Sequence, residues 1–284
     1  MSSAIHFLNT GHSDCIILES NGRFAMIDAA EDNDYPADKP HLKLKGYEDV
    51  VCDYLMKNCR GNDGKVKLDF VMGTHCHSDH IGGFDTVINH PDVTVKKAFL
   101  KPYHQENIFA YEVKRWDNLE VYTQMRDALN KNNVPIVEEF EEYTFNLGDF
   151  KITFYNGEYK KPLFKYGENV NSVVTLVEAF GKRALLAGDM NYKNGGERSI
   201  GKKVGKVDLL KVGHHGYTFS TSHYWVKCLM PDYAVFFNDL KNTDPVVRTL
   251  LKKTAGAKLY ACADCNGVKA VFSENGIDIV TDIM

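Results

Sequence analysis

Three of the chain's eleven histidines fall within six residues, His75-Cys76-His77-Ser78-Asp79-His80, together with a carboxylate. Random placement rarely concentrates imidazoles in this way. The preceding stretch LDFVMG, at 68–73, reads as a buried apolar strand, so the cluster sits on the polar loop that leaves it. On such a loop His75 and His77 can point one way while Asp79 and His80 turn toward a second point nearby. Neutral imidazoles and a carboxylate suit zinc, manganese or iron. Two such ions, roughly 3.5–4 Å apart, activate water and stabilise a leaving oxygen. Cys76, between the two histidines, should point the opposite way, into the core, and is not expected to act as a nucleophile.

The elements that must hold this loop are legible as hydrophobic runs. IHFLN at 5–9, DCIILES at 14–20 and RFAMIDA at 23–29 read as strands, the last two joined by the hairpin signal Asn21-Gly22. A helix is expected over 47–59, and another runs from the histidine loop through about residue 89. Strand VTVKKAFL, a polar aromatic insertion, a helix over about 113–132 and strand VPIVEE follow. From 143 the strands TFNLG, FKITFYN, NSVVTLVEA and KRALLAGD succeed one another. A Gly-, Asn- and Lys-rich stretch at 190–206 precedes the strand VDLLKVG. Helices near 221–229 and 245–254 then alternate with strands YAVFF and KLYAC, and two strands near 268–272 and 277–280 close the chain. This is a mixed α/β (α+β) pattern, two β-rich halves each carrying helices outside, an αββα sandwich. With no linker or repeat, residues 1–284 are expected to form one domain, with an insertion or lid at about 101–133.

Composition narrows the function classes. The chain has 284 residues, 44% hydrophobic and 25% charged, with a formal net charge of -4, so no general field attracts a polyanion. No run approaches the roughly 18 apolar residues that cross a bilayer, and the start lacks a basic, then apolar, leader pattern. Seven scattered cysteines suit free thiols in a reducing compartment. A cytoplasmic location, no membrane partner and no obligate protein partner are therefore the expectations.

THCHSDHIGG matches the HxHxDH signature, and the chain resembles the metallo-β-lactamase superfamily. That resemblance implies a four-layered αββα metallo-β-lactamase sandwich and a binuclear metal-dependent hydrolase acting on ester or phosphoester bonds. The implied cofactors are two divalent metal ions, zinc first, with manganese or iron also compatible. Metal ligands carried over are His75, His77, Asp79, His80, Asp189 at the end of ALLAGD, and His215 of the His214-His215-Gly216 turn. Asp79 and His214 are then the proton-handling, catalytic candidates, the assignment within the histidine pair resting on the resemblance alone. Asp28 stands where such proteins keep an acid that orients the metal loop; a turn-forming role is the equal alternative.

One departure narrows the branch. Many members carry a further first-metal histidine between HxHxDH and the bridging aspartate, and here that interval holds only His90 and His104, neither in a fitting context. Asn169-Val170-Asn171-Ser172 stands there instead, an NxNS pattern similar to the metal-dependent domain of competence DNA-uptake proteins and to phosphorylcholine esterase catalytic domains. The likeness to the esterase also runs through IHFLN, RWDNL and IGKKVGKVDLLKVGHH. It implies a phosphodiesterase with a small-molecule phosphoester substrate, attacked by a metal-bound hydroxide, and a more open first metal site. Trp116, Asn171 and Tyr217 are the expected substrate contacts, with Tyr103, Tyr111 and Trp225 as further aromatics able to face a quaternary ammonium. Ser220 and Ser222 either reach a phosphate or cap the next helix. A nuclease of the competence type is the alternative, its basic residues Lys193, Arg198, Lys202, Lys203 and Lys206; a carboxylic ester, lactone or β-lactam hydrolase is a third reading.

Overall fold

A computed structural model describes residues 3–193 and 195–284. Two sheets stack face to face. The first contains strands β1 (Ser3–Phe7), β2 (Cys15–Ser20), β3 (Arg23–Ala29), β4 (Val66–Met72), β5 (Val93–Val95), β6 (Ala98–Phe99), β7 (Ile136–Val137), β15 (Val268–Ser273) and β16 (Gly276–Thr281). Its order is β16-β15-β1-β2-β3-β4-β6-β7, with β5 also on β4. The second contains β8 (Thr144–Leu147), β9 (Phe150–Tyr155), β10 (Val174–Ala179), β11 (Lys182–Leu186), β12 (Leu209–Lys211), β13 (Tyr233–Phe236) and β14 (Lys258–Ala261), in the order β14-β13-β12-β11-β10-β9-β8. Helices α1 (Glu48–Asn58), α2 (Ser78–Ile81), α3 (Phe84–Asn89), α4 (Ala110–Arg115) and α5 (Asn118–Lys131) fall between the strands of the first sheet. Helices α6 (Gly196–Val204), α7 (His223–Leu229) and α8 (Pro245–Leu250) fall between those of the second.

The period-2 alternation of strand side chains builds the layers. Ile16 and Leu18 of β2, with Ala25 and Ile27 of β3, enter the core between the sheets, where Phe70, Phe99, Phe150 and Phe154 meet them. Their neighbours Ile17 and Met26 face outward and pack with Val51, Leu55, Phe84, Val87 and Met125 of the helices. On the other side Leu209 points to the shared core while Leu210 packs with Trp225, Val226 and Leu229. Trp225 is thus a core residue of the outer layer and not a pocket aromatic.

Three expectations are corrected in detail. The closing hairpin β15–β16 returns to the first sheet, β15 pairing antiparallel with β1, so the sheets do not divide the chain into two consecutive halves. The helix expected over 113–132 is two helices, α4 and α5, broken at Trp116 and Asp117. The strand expected over VTVKKAFL is split into β5 and β6, both parallel to β4. Among the described residues no helix is long and apolar enough to cross a membrane.

Candidate metal centre

The loops that leave β3, β4, β11 and β12 carry the chemistry. β3 and β4 run parallel, as do β11 and β12, so their carboxyl ends bring Asp28, the histidine loop, Asp189 and the His214-His215 turn to one edge of the sandwich. Ligands commonly bind beyond the carboxyl ends of parallel strands.

Each buried imidazole is anchored by its outer nitrogen and leaves its inner nitrogen free. His80 Nδ1 lies 2.7 Å from Asp28 Oδ2. Its Nε2 faces Asp189 Oδ1 at 3.3 Å, Asp79 Oδ2 at 4.0 Å and His215 Nε2 at 3.3 Å. His215 Nδ1 faces Asp14 Oδ1 at 3.2 Å, and its Nε2 lies 3.2 Å from Asp189 Oδ2 and 3.1 Å from Asp79 Oδ2. His77 Nε2 lies 3.0 Å from Glu112 Oε1, and its Nδ1 meets His75 Nε2 at 3.1 Å. His75 Nδ1 is 3.1 Å from Thr74 Oγ1 and 3.3 Å from Ser172 Oγ. Two facing pairs of ring nitrogens, His75 with His77 and His80 with His215, repel each other unless a proton or a cation lies between them. With Asp189 Oδ1 buried and without a hydrogen-bond partner, the cluster could hold divalent metal, and His75, His80 and Asp189 place their ligand atoms within 4.8 Å of one another.

Asp14, His80 and His215 also form a compact acid–histidine group. Asp14, however, lies on the outer, Nδ1 side of both rings, at 3.2 Å from His215 and 3.7 Å from His80. It also pairs with the fully buried ammonium of Lys211. It therefore orients His215. Lys211 in turn donates to the Gly188 carbonyl at 2.9 Å, tying the loop that bears Asp189 to the strand that leads to His215.

Backbone conformation separates the adjacent histidines. His214 and His215 both have φ of 51°, the left-handed region that costs a non-glycine residue about 1–3 kcal/mol. Consecutive left-handed residues send His215 inward among the acids, while His214 faces the cleft with its Nδ1 donating to the Thr218 carbonyl at 3.0 Å. Asp28 combines both roles expected of it. Its φ is 56°, and its carboxylate accepts from Thr74 N and Thr74 Oγ1, both at 2.8 Å.

The electrostatics follow from this crowding. Burial alone would lower His80, but Asp189, Asp28 and Asp79 outweigh it and raise it well above the imidazole range. His215 is likewise raised against burial by Asp189 and Asp14. His75 is driven well down by burial and by the neighbouring His80 and His77. Burial would raise Asp189, yet His215 and His80 hold it well below the usual carboxylate range. Cys76 is buried and its thiol pushed far up by that burial, with Glu168 adding to the effect, as expected of an inert core cysteine.

The centre opens into a cleft of about 800 Å³. Trp116 and Tyr217 line it, as do His214, Tyr47, Phe109, Tyr166 and Phe219. Phe109, Glu112 and Trp116 come from the segment 101–133, which is tied to the loop beyond β9 by the Phe109 N to Tyr166 O bond of 2.9 Å. Asn171 does not belong to the cleft lining: its amide donates to Glu168 at 2.8 Å, and Asn169, two residues earlier in the same turn, faces the cleft. Tyr103 packs on Tyr122 and Tyr111 is exposed, neither on the cleft. Ser222 caps α7, accepting from Trp225 N, and Ser220 donates to the Gly213 carbonyl, so neither reaches for a ligand.

Asp14, Lys211, Glu112, Glu168 and Ser172 escaped the sequence reading. The NxNS stretch was the available signal for Ser172, which accepts from Asp189 N at 3.0 Å while contacting His75. Glu112 sits in α4 with nothing in its neighbourhood to mark it.

Residues 8–237 match the model of the metallo-beta-lactamase superfamily. Recombination protein 2 of Haemophilus influenzae is 25% identical over 170 residues, which cover 60% of this chain and 18% of that protein. ComE operon protein 3 of Bacillus subtilis is 26% identical over 177 residues, covering 61% of this chain and 20% of that protein. The chain thus spans about a fifth of these curated relatives. Among solved structures, the metallo-beta-lactamase fold protein YhfI of Bacillus subtilis superposes with a TM-score of 0.56 at 10% identity, over 96% of this chain and 100% of YhfI. CmlA, a diiron beta-hydroxylase from Streptomyces venezuelae, superposes with a TM-score of 0.52 at 10% identity, over 90% of this chain and 52% of that one. With its αββα layers and its clustered histidine and aspartate donors, the chain belongs to the metallo-beta-lactamase superfamily and has the fold of its metal-dependent hydrolases.

Proposed function

We propose that this protein is a binuclear metal-dependent phosphodiesterase acting on a small phosphoester, of the kind that carries a quaternary-ammonium alcohol such as phosphorylcholine. The observation that supports this reading best is the aromatic lining of the cleft above the donor cluster: Tyr47, Phe109, Trp116, Tyr166 and Tyr217. Rings of this kind attract a cationic headgroup by about 0.5–2 kcal/mol each. His75, His77, Asp79, His80, Asp189 and His215 would hold the two cations. When bound, these ions supply Lewis-acid activation of water and charge stabilisation at the phosphoryl group. Asp28, Asp14 and Glu112 hold the outer nitrogens as hydrogen-bond donors, so that with cations in place the inner nitrogens would be the ones to coordinate. His214, with Nδ1 committed to Thr218, presents Nε2 to the cleft, where it can take a proton or pass one to the departing oxygen. Burial holds His214 low, with the Asp189 charge opposing, which favours its neutral, proton-accepting form.

The likeness to Recombination protein 2 and ComE operon protein 3 supports a second reading, a nuclease. Its groove would need the basic cluster, and three of those five residues are engaged on other groups. Lys203 pairs with Glu142, Lys206 lies 3.7 Å from Asp232, and Arg198 stacks on Tyr224. Of the five, Lys193 lines the cleft, its ammonium 3.6 Å from the Phe219 ring centroid. The deciding experiment is a panel of p-nitrophenylphosphorylcholine, bis-p-nitrophenyl phosphate and single-stranded DNA on protein reconstituted with zinc, manganese or iron. Preferred turnover of p-nitrophenylphosphorylcholine is expected. Cleavage of DNA and bis-p-nitrophenyl phosphate with no turnover of the choline ester would overturn the small-substrate reading.

A further inference from the structure

A second cavity, of about 290 Å³, is lined by Asp32, Asp34, Tyr35, Asp117, Glu120 and Gln124. Asp32 and Asp117 are 4% and 3% exposed. One carboxylate oxygen of each, and the amide oxygen of Gln124, are buried without a hydrogen-bond partner. The ammonium of Lys39 is 3.5 Å from Glu120, donates to the Trp116 carbonyl at 2.7 Å and offsets part of the Asp117 charge, while Asp32 lines the same cavity with like charge around it. Burial, reinforced by Asp117, Glu48 and Asp34, pushes Asp32 up to about 8. Buried carboxylates near like charge must either take up protons or bind a cation.

We propose that Asp32, Asp117 and the Gln124 amide oxygen, with Asp34 and Glu120 at the rim, form a calcium site separate from the histidine centre. The lining offers carboxylate and amide oxygens and contains neither imidazole nor thiol, a hard donor set that suits calcium and not zinc or iron. The two sides of the cavity come from different parts of the chain. Asp32 follows β3 and packs directly on the turn beyond His80, where a Cβ on Gly82 would come within 2.9 Å of Asp32 N. Asp117 and Gln124 belong to the corner of α4 and α5 whose Trp116 lines the main cleft. Calcium there clamps the insertion to the scaffold and sets the position of that cleft wall. The site does not rest on the phosphodiesterase reading.

The test uses the full chain, stripped of metal and reloaded with two equivalents of zinc, then titrated with calcium by calorimetry and with terbium by luminescence sensitised through Trp116. One saturable calcium site is expected, with a thermal midpoint about 5–10 °C higher at calcium a hundredfold above its dissociation constant. Asp32→Asn and Asp117→Asn should each weaken calcium at least tenfold while leaving zinc content unchanged. In calcium-free buffer Asp32→Asn should melt above wild type, because like charge is relieved. His75→Ala should retain calcium binding. Absence of calcium heat and terbium emission, unchanged calcium affinity in the two Asn variants, or tighter magnesium than calcium would each overturn the proposal.

Discussion

Glu112→Gln isolates the contribution of the insertion to the metal centre. Glu112 Oε1 receives His77 Nε2 at 3.0 Å, Glu168 N at 2.9 Å and Asn118 Nδ2 at 3.2 Å. Burial would raise its carboxyl, but His77 holds it low, so the contact to the imidazole is charge-assisted, a class worth about 1.5–3 kcal/mol. Glutamine keeps an acceptor for the Glu168 amide and removes only the charge. Loss of such an outer partner typically lowers metal affinity about 10- to 100-fold, or about 1.4–2.7 kcal/mol. Glu112→Gln should therefore weaken the ion held by His75 and His77 about tenfold, and Glu112→Ala about a hundredfold, while the ion held by Asp79, His80 and His215 keeps its affinity. Competition against a chromophoric chelator resolves the two steps. Equal weakening of both steps, or no change in either, would refute the assignment of Glu112 to His77.

Other expectations concern different parts of the molecule. His215→Ala should remove one equivalent of metal, whereas His214→Ala should keep both and lower turnover about 10²- to 10⁴-fold, read by elemental analysis beside steady-state kinetics. Lys211→Met leaves Asp14 and Asp189 buried without their cation and should cost about 3–5 kcal/mol in urea unfolding of the metal-free protein. Glu19 is held down at about 2 by the His6 hydrogen bond, with burial opposing and Lys269 assisting. Because its folded value lies below the unfolded one, its stabilisation is present above about pH 4.5 and is lost as pH falls toward 2. Discounted for partial exposure, Glu19→Gln should cost about 1–2 kcal/mol at pH 7, and the gap to wild type should close in acid.

The parts of the centre that were legible in the sequence are those that are local. His75, His77, Asp79 and His80 advertise themselves by spacing, whereas Asp189 was reached only through the family resemblance, since Gly-Asp after a strand otherwise reads as a turn. The layers were legible too, because alternation along β2, β3 and β12 sorts side chains between cores. What stayed hidden depends on long-range contact. Asp14 reads as the first residue of a strand until β12 brings Lys211 and His215 to it. Glu112 lies 35 residues from His77, and no pattern in α4 announces that partnership. The choice within His214-His215 turned on two left-handed backbone angles, which residue identity does not encode. Asn171 was misplaced because a 3-10 turn over Glu168–Asn171 rotates alternate residues away from where an extended NxNS segment would put them. The break at Trp116-Asp117 was invisible because both flanks favour helix.

The central claim, that six donors on three loops hold two cations that the chemistry requires, is tested most directly by metal titration of the stripped protein against bis-p-nitrophenyl phosphate turnover. Activity should rise to a maximum at two equivalents, and Asp189→Ala, which removes the carboxylate that both proposed sites would use, should abolish turnover and lower metal content below two. Full hydrolysis by metal-free protein, or saturation below one equivalent with Asp189→Ala still active, would contradict it.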